Sequence, residues 1–280
     1  MSRSWREQLF ISLSPNELAF VRMKGGVRPR ITSQHVVPCE TGFGSEPWDG
    51  AMAVLKDQSD AILDEALDVT VILSNHFVRY ALVSWNEALS GTQEQLAFAR
   101  HSFVKIHGDR AKTWALSLSE ESKGAPRVAS AIDAELLERI RQCFPSGGKA
   151  RLVSVQPCLM AAVNLWYRPV SKDGAWLLIA ERGRNCLAFH AEGRWQSIIN
   201  TKGSHASPAE WSELLDRERL RTAIVAPATK VLVCAFTEVA LQELPDGGEW
   251  QFEPALPPAL DGVSPTEDRR YAMALSAGFA

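Results

Sequence analysis

One order of elements occurs twice in this chain, and that duplication constrains the fold more than any single motif does. The first copy opens with three β-type runs, residues 8–13, 17–24 and 30–37, separated by the turn chemistry SPN and GGVRP. A helix is predicted over 48–67, with Ala51, Val54, Leu55, Gln58 and Ile62 on one face. The run VTVIL, 69–73, then has the continuous apolar pattern of a strand buried on both faces. From residue 175 the order returns: β-type runs at 175–181, 186–191 and 195–200, a helix, and the apolar strand KVLVCAF at 230–236. The second helix starts on a capping box, Ser207-Pro208-Ala209-Glu210, and buries Trp211, Leu214 and Leu215. The second strands match in Leu18-Ala19-Phe20 and Leu187-Ala188-Phe189, with Gly25 and Gly193 at their ends.

Between the copies, residues 75–132 read as strand (76–85), helix (92–107), strand (113–119) and strand (127–132). Thr92 and Gln95 form a capping box, and Leu96, Ala99, Phe103 and Ile106 recur at helical spacing. Asp133 caps a helix carrying Leu136, Leu137 and Ile140; a strand at 151–155 and a helix from Pro157 to about Arg168 follow. The tail is proline-rich over 255–268 and closes in a short helix from about Arg269. The stretch SNHFVR, 74–79, joins the first buried strand to the inserted unit. Alternation puts His76, Val78, Tyr80 and Leu82 on one strand face and Phe77, Arg79, Ala81 and Val83 on the other. That mixed pattern suits a structural join or a partner surface (His76, Arg79, Tyr80) better than a catalytic box.

Several function classes are disfavoured by composition. A net charge of −3 spread over 280 residues gives no field suited to nucleic acid. The N-terminus lacks the apolar core of a signal peptide, and no run reaches the length of a membrane span. The five cysteines, at 39, 143, 158, 186 and 234, show neither CxxC nor zinc-ligand spacing, so reduced thiols and no metal are expected. PSGGKA, 145–150, has Cys143 where a P-loop needs glycine and Ala150 where it needs Ser or Thr. Pro47 likewise spoils a dinucleotide reading of Gly42-x-Gly44. Both read as turns. Cys158, at a helix start, has the placement of an activated thiol, but no base is singled out among six histidines.

The doubled order with its insertion resembles the actin-like ATPase fold, and within it the pilus-assembly branch: PilM-type proteins, the cytoplasmic domain of the type II secretion protein GspL, and FtsA. VILSNHFVRYALVSW and LVSVQPCLMAAVNLWYR are similar to segments of actin-like proteins from pilus clusters. The resemblance implies an α/β, duplicated, ribonuclease H-like fold. Residues 1–74 and 133–170 form its first lobe, 75–132 an inserted α+β subdomain, and 171–280 its second lobe. Active members hold ATP and Mg²⁺ between two glycine-rich hairpin loops carrying aspartates. Here Ser12 falls at the first aspartate position and Ser14 at its glycine, with Asn16 in the same turn. Glu181 and Gly183 are the only acid and glycine of the second loop, crowded by Arg182 and Arg184, and TEVALQE (237–243) lacks the expected Gly-Gly pair.

The resemblance therefore implies a degenerate, non-catalytic member without a cofactor. As such it is a bacterial cytoplasmic scaffold of a type IV pilus, MSHA-like or type II secretion-like platform. It is expected to bind a short cytoplasmic segment of an inner-membrane protein, and an assembly ATPase could be a second partner. The rival readings are an ATP-binding actin-like or sugar-kinase-like protein with atypical phosphate loops, and a hydrolase using Cys158.

Overall fold

The computed structural model describes residues 6–25, 29–40, 42, 44–89, 91–166, 174–203, 208–222, 228–236, 244, 248–255 and 269–278. They fall into two compact units, one from residues 1–77, 135–166 and 256–280, the other from 78–134 and 167–255.

The first unit begins with the antiparallel meander β1 (Glu7–Leu13), β2 (Glu17–Lys24) and β3 (Arg30–Pro38). Helix α1 (Asp49–Asp60) leads to β4 (Leu67–Leu73), which pairs parallel to β1. The helix is shorter than its periodicity predicts. Residues 61–65 form tight turns, and Glu65 accepts both ends of the Arg22 fork, at 2.6 and 2.8 Å, which ties the approach to β4 onto β2. At the start of α1, the Asp49 carboxylate accepts the amides of Ser45 and Glu46 (2.9 Å each) and Arg139 (2.8 Å). Gly44, at φ 77°, is required there, because a Cβ would collide with the Asp49 side chain.

At Ser74 the sheet ends. Its amide donates to the Leu13 carbonyl (3.0 Å), and Phe77 N–H closes the turn onto Ser74. The chain then passes into the second unit with β5 (Val78–Val83), α2 (Thr92–His107), β6 (Trp114–Leu118) and β7 (Arg127–Asp133). It returns through α3 (Ala134–Cys143) to β8 (Arg151–Pro157) and α4 (Cys158–Trp166). The first sheet has the order β3-β2-β1-β4-β8. Asp68 on β4 binds both neighbours' ends, Arg6 at 3.0 Å and Arg151 at 2.8 Å. The PSGGKA segment is a turn: Gly148 N–H bonds to the Pro145 carbonyl (3.1 Å) and Gly147 sits at φ 92°.

Within the second unit, β5, β7 and β6 form their own antiparallel sheet, in that order. SNHFVR is thus a join into a separate sheet, and β5 begins two residues later than the apolar run suggests. Helix α2 packs Ala99 and Phe103 against Val83, Trp114, Ala129 and Ala131. Two expectations for α2 fail. Its N-cap is Gly91, whose amide donates to Glu94 (3.1 Å), while Gln95 is occupied elsewhere, donating to the Leu89 carbonyl and accepting Arg127 (2.7 Å). Ile106, placed in the core by spacing, is 69% exposed, while its neighbour His107 still packs its ring against Trp114 of β6, with the ring centroids 5.1 Å apart.

The rest of the second unit repeats the first topology. An antiparallel meander, β9 (Ala175–Glu181), β10 (Arg184–Ala191) and β11 (Arg194–Lys202), precedes α5 (Pro208–Thr222) and β12 (Lys230–Ala235), parallel to β9. A short parallel strand, β13 (Gln251–Pro254), completes the order β11-β10-β9-β12-β13. Trp176, Phe189, Trp211, Leu214 and Leu215 form the core between this sheet and α5. Ser207 of the capping box lies outside the described residues.

Side-chain hydrogen bonds among the described residues join the inserted subdomain to this unit. Asn200 Nδ2 donates to the Val78 carbonyl (3.0 Å), and Trp195 Nε1 donates to Glu121 (2.9 Å). The closing helix differs from the sequence assignment. Residues 269–271 and α6 (Ala272–Leu275) belong to the first unit, packing on β1, β2 and β4, since four consecutive buried residues, Ala272 to Leu275, cover its apolar sheet.

Candidate functional site

The two hairpin turns singled out by sequence lie one in each unit. Ser12 is buried inside β1, opposite Ala19 on β2 and Ile72 on β4. The turn after it is held by Ser14. Its hydroxyl donates to the Glu17 carbonyl (2.7 Å) and accepts the Glu17 amide (3.3 Å), while its own amide donates to the same carbonyl (3.3 Å). Pro15 has no N–H to offer, and the Asn16 carbonyl accepts Cys39 N–H (2.8 Å). A phosphate cradle needs converging backbone amides and a carboxylate to organise the metal. Here the amides of Ser14 and Glu17 are spent inside the turn and Ser12 supplies a hydroxyl, so these residues do not fit a nucleotide's phosphates and Mg²⁺.

The second turn keeps more of the geometry. Glu181 and Arg184 face each other across a two-residue turn in which Gly183 takes φ 78°, a conformation that favours glycine. Gly183 offers its carbonyl to Gly203 N–H (3.3 Å). The Glu181 carboxyl is buried. Arg184 is half-buried; burial lowers its pKa and the nearby Glu181 opposes that. Its Nε has no hydrogen-bond partner among the described residues. Arg182 projects from the turn and is exposed. Residues 237–243, the third loop position, lie outside the described residues.

The partner-surface candidates do not make one patch. His76 is half-buried in the turn before β5, its amide bonded to Ser74 Oγ (3.2 Å). Arg79 and Tyr80, adjacent on β5, point to opposite faces. Arg79 bonds to the Val78 carbonyl (3.0 Å), and burial, then Arg184 and Arg110, hold its pKa below the ordinary value. Cys158 is fully buried at the start of α4, which removes it from any substrate.

Sequence reasoning missed Glu121. It sits in an acidic, loop-like SEESKG segment with no periodicity to mark it, yet it receives both Trp195 Nε1 and Ser119 Oγ (3.0 Å). Among the described residues no group of three or more His, Cys, Asp or Glu side chains is arranged to hold a metal ion. No described helix is long and apolar enough to cross a membrane.

No family model matches this sequence, and no curated protein matches it. Solved structures match across most of the chain. The PilM-PilN type IV pilus biogenesis complex aligns over 98% of this chain and 97% of that one, with 14% identity and a TM-score of 0.65.

The chain has the actin-like fold.

A Bacteroides thetaiotaomicron protein with an actin-like ATPase fold and unknown function aligns over 86% of both chains, with 11% identity and a TM-score of 0.60. The cytoplasmic domain of EpsL, an inner membrane component of the Vibrio cholerae type II secretion system, aligns over 98% of this chain and 95% of that one, with 11% identity and a TM-score of 0.58. The actin-like duplication accounts for the two matching sheets, and β5 to β7 stand as the insertion after β4.

Proposed function

We propose that this protein is a non-catalytic, actin-like scaffold on the cytoplasmic side of a pilus or type II secretion-like assembly platform. The observation that carries the reading is the nearly end-to-end likeness to the PilM-PilN complex, insertion included. The likeness to the EpsL cytoplasmic domain supports the same setting. Its partner is a short cytoplasmic segment of an inner-membrane protein, bound by strand addition or in a groove; an assembly ATPase is a further partner. The internal bonding of the Ser14–Glu17 turn and the hydroxyl at Ser12 support a fold that has lost its nucleotide.

Calorimetric titration with ATP and Mg²⁺, repeated with ADP, tests the loss of nucleotide. The expected result is no heat and no thermal shift at about 1 mM nucleotide. Micromolar binding, about −8 kcal/mol, would restore the ATP-binding alternative and direct mutation to Glu181 and Ser12. In-cell crosslinking followed by membrane solubilisation tests the partner. A bitopic inner-membrane protein crosslinked through its cytoplasmic segment is expected, and recovery of soluble metabolic enzymes alone would refute the scaffold.

A further inference from the structure

The first sheet ends on β3, which pairs with β2 alone among the described residues. Its counterpart in the second repeat, β11, has β5 packed against it. Antiparallel pairs alternate between exchanging both backbone bonds and exchanging none. Cys39 N–H donates to the Asn16 carbonyl (2.8 Å), one step beyond the Glu17–Pro38 pair, so Glu17 and Pro38 form a non-bonded pair. By the same alternation Val36 opposite Ala19 and Gln34 opposite Val21 are non-bonded too. The N–H and C=O groups of Gln34 and Val36 therefore point away from β2. Among the described residues no backbone bond from another element reaches them, and the run Thr32 to His35 is exposed. Outward backbone groups of this kind are met by water or by a further strand.

The open edge is bounded at both ends. The register slips between Arg22 and Met23, which leaves Thr32 as an extra residue on β3, and Pro38 has no N–H. Between these breaks, Ser33 to Val37 carry no lysine, arginine, acid or proline, the residues that keep an edge from pairing. His35 lies midway, its ring stacked on Phe20 at 4.7 Å. Charge is divided along the edge: Lys24 and Arg30 face each other at one end, and Glu17 and Glu40 lie at the other. Arg30 and Glu40 are both exposed. We infer that β3 pairs with β3 of a second copy of this chain, antiparallel and centred on His35, so that two sheets join into one. In that register Gln34 of each copy exchanges both backbone bonds with Val36 of the other, and no outward group between the breaks is left over. The extra Thr32 falls against Pro38 of the second copy, so the two breaks coincide. Arg30 comes beside Glu40 of the second copy, whereas a parallel pairing would bring the basic ends together. A twofold arrangement of this kind closes at two copies. It does not rest on the scaffold reading.

Sedimentation velocity on the full chain, from about 1 to about 100 μM, should show a monomer that becomes a dimer as concentration rises. Gln34→Pro removes an N–H that β2 does not use, so the fold should hold while association weakens at least ~10-fold. Circular dichroism and a thermal melt check that this variant is folded. Arg30→Glu should weaken association, and Arg30→Glu combined with Glu40→Arg should restore it. Under mild oxidation His35→Cys should form a disulfide between copies, because non-bonded partners in an antiparallel pair have Cα atoms about 4.5 Å apart. Gln34→Cys, set diagonally from its own counterpart, should crosslink much less, and the wild-type chain should not crosslink. The crosslink decides the matter even where Gln34→Pro fails to fold. A chain still monomeric at about 100 μM, a dimer indifferent to folded Gln34→Pro or to the charge exchange, or equal crosslinking of His35→Cys and Gln34→Cys overturns the inference.

Discussion

Glu218 is fully buried on α5, where Arg221 reaches both its oxygens at 2.8 and 2.5 Å and Ser197 Oγ donates to it from β11. Burial acts to raise its pKa, but the bonds from Arg221 and Ser197 outweigh burial and hold it below the ordinary carboxylate value of 4.5. A group depressed in this way contributes stability that is fully present above its unfolded pKa and lost as pH falls through the folded one. Glu218→Gln should therefore cost about 1–3 kcal/mol at neutral pH, through a weakened and partly unsatisfied cluster. In urea denaturation the gap between wild type and variant should be full above the ordinary carboxylate value and shrink as pH falls below it; a gap that ignores pH would mean the carboxylate is not the stabilising form. The thiols give a second residue-scale readout. Cys143, Cys158, Cys186 and Cys234 are buried, while Cys39 is half-buried, its pKa raised to about 11 by burial and then by Glu17. Maleimide at neutral pH, followed by mass spectrometry, should label Cys39 slowly and the other four only in denaturant. Early labelling of Cys158 would revive a thiol chemistry for the start of α4.

At the scale of elements, the joint between the inserted subdomain and β11 rests on side chains that no local pattern marks. Glu121 accepts from Trp195, and His190 packs edge-on against the same indole at 4.9 Å. A double-mutant cycle between Glu121→Ala and Trp195→Phe should give a coupling of about 0.5–1.5 kcal/mol. Additivity of the two changes would show that the bond contributes nothing to holding the subdomain. The elements themselves were largely legible. Alternating and apolar runs mark both meanders, because a strand with one buried face must repeat every two residues. The helix ends were less so. The Gly91 cap and the exposed Ile106 depend on contacts made by individual side chains, which helical spacing does not encode. The Ser14 turn shows the same limit: SPN announced a turn, while the commitment of its amides to Glu17 and to the serine hydroxyl appears only in three dimensions.

In the whole molecule, the last described segment stabilises a sheet built more than two hundred residues earlier in the chain. Leu275 is 3% exposed, in a helical turn packed on β1, β2 and β4. Leu275→Ala should destabilise the first unit by about 2–5 kcal/mol. Hydrogen exchange should then quicken in β1, β2 and β4 before it changes in β9 to β12; uniform quickening would mean the two units unfold as one. The sequence alone determined the duplication, the buried strands of each copy and the insertion between them, because hydrophobic periodicity and turn chemistry are local properties. It also put a serine, Ser12, where the resemblance places an aspartate, and a serine cannot act as a carboxylate wherever it lies. The tertiary structure decided which unit the C-terminal helix completes, where Glu121 finds its partner, and whether the turn amides face a ligand or one another. Those outcomes depend on contacts between residues far apart in the chain, and only packing brings such residues within hydrogen-bonding distance.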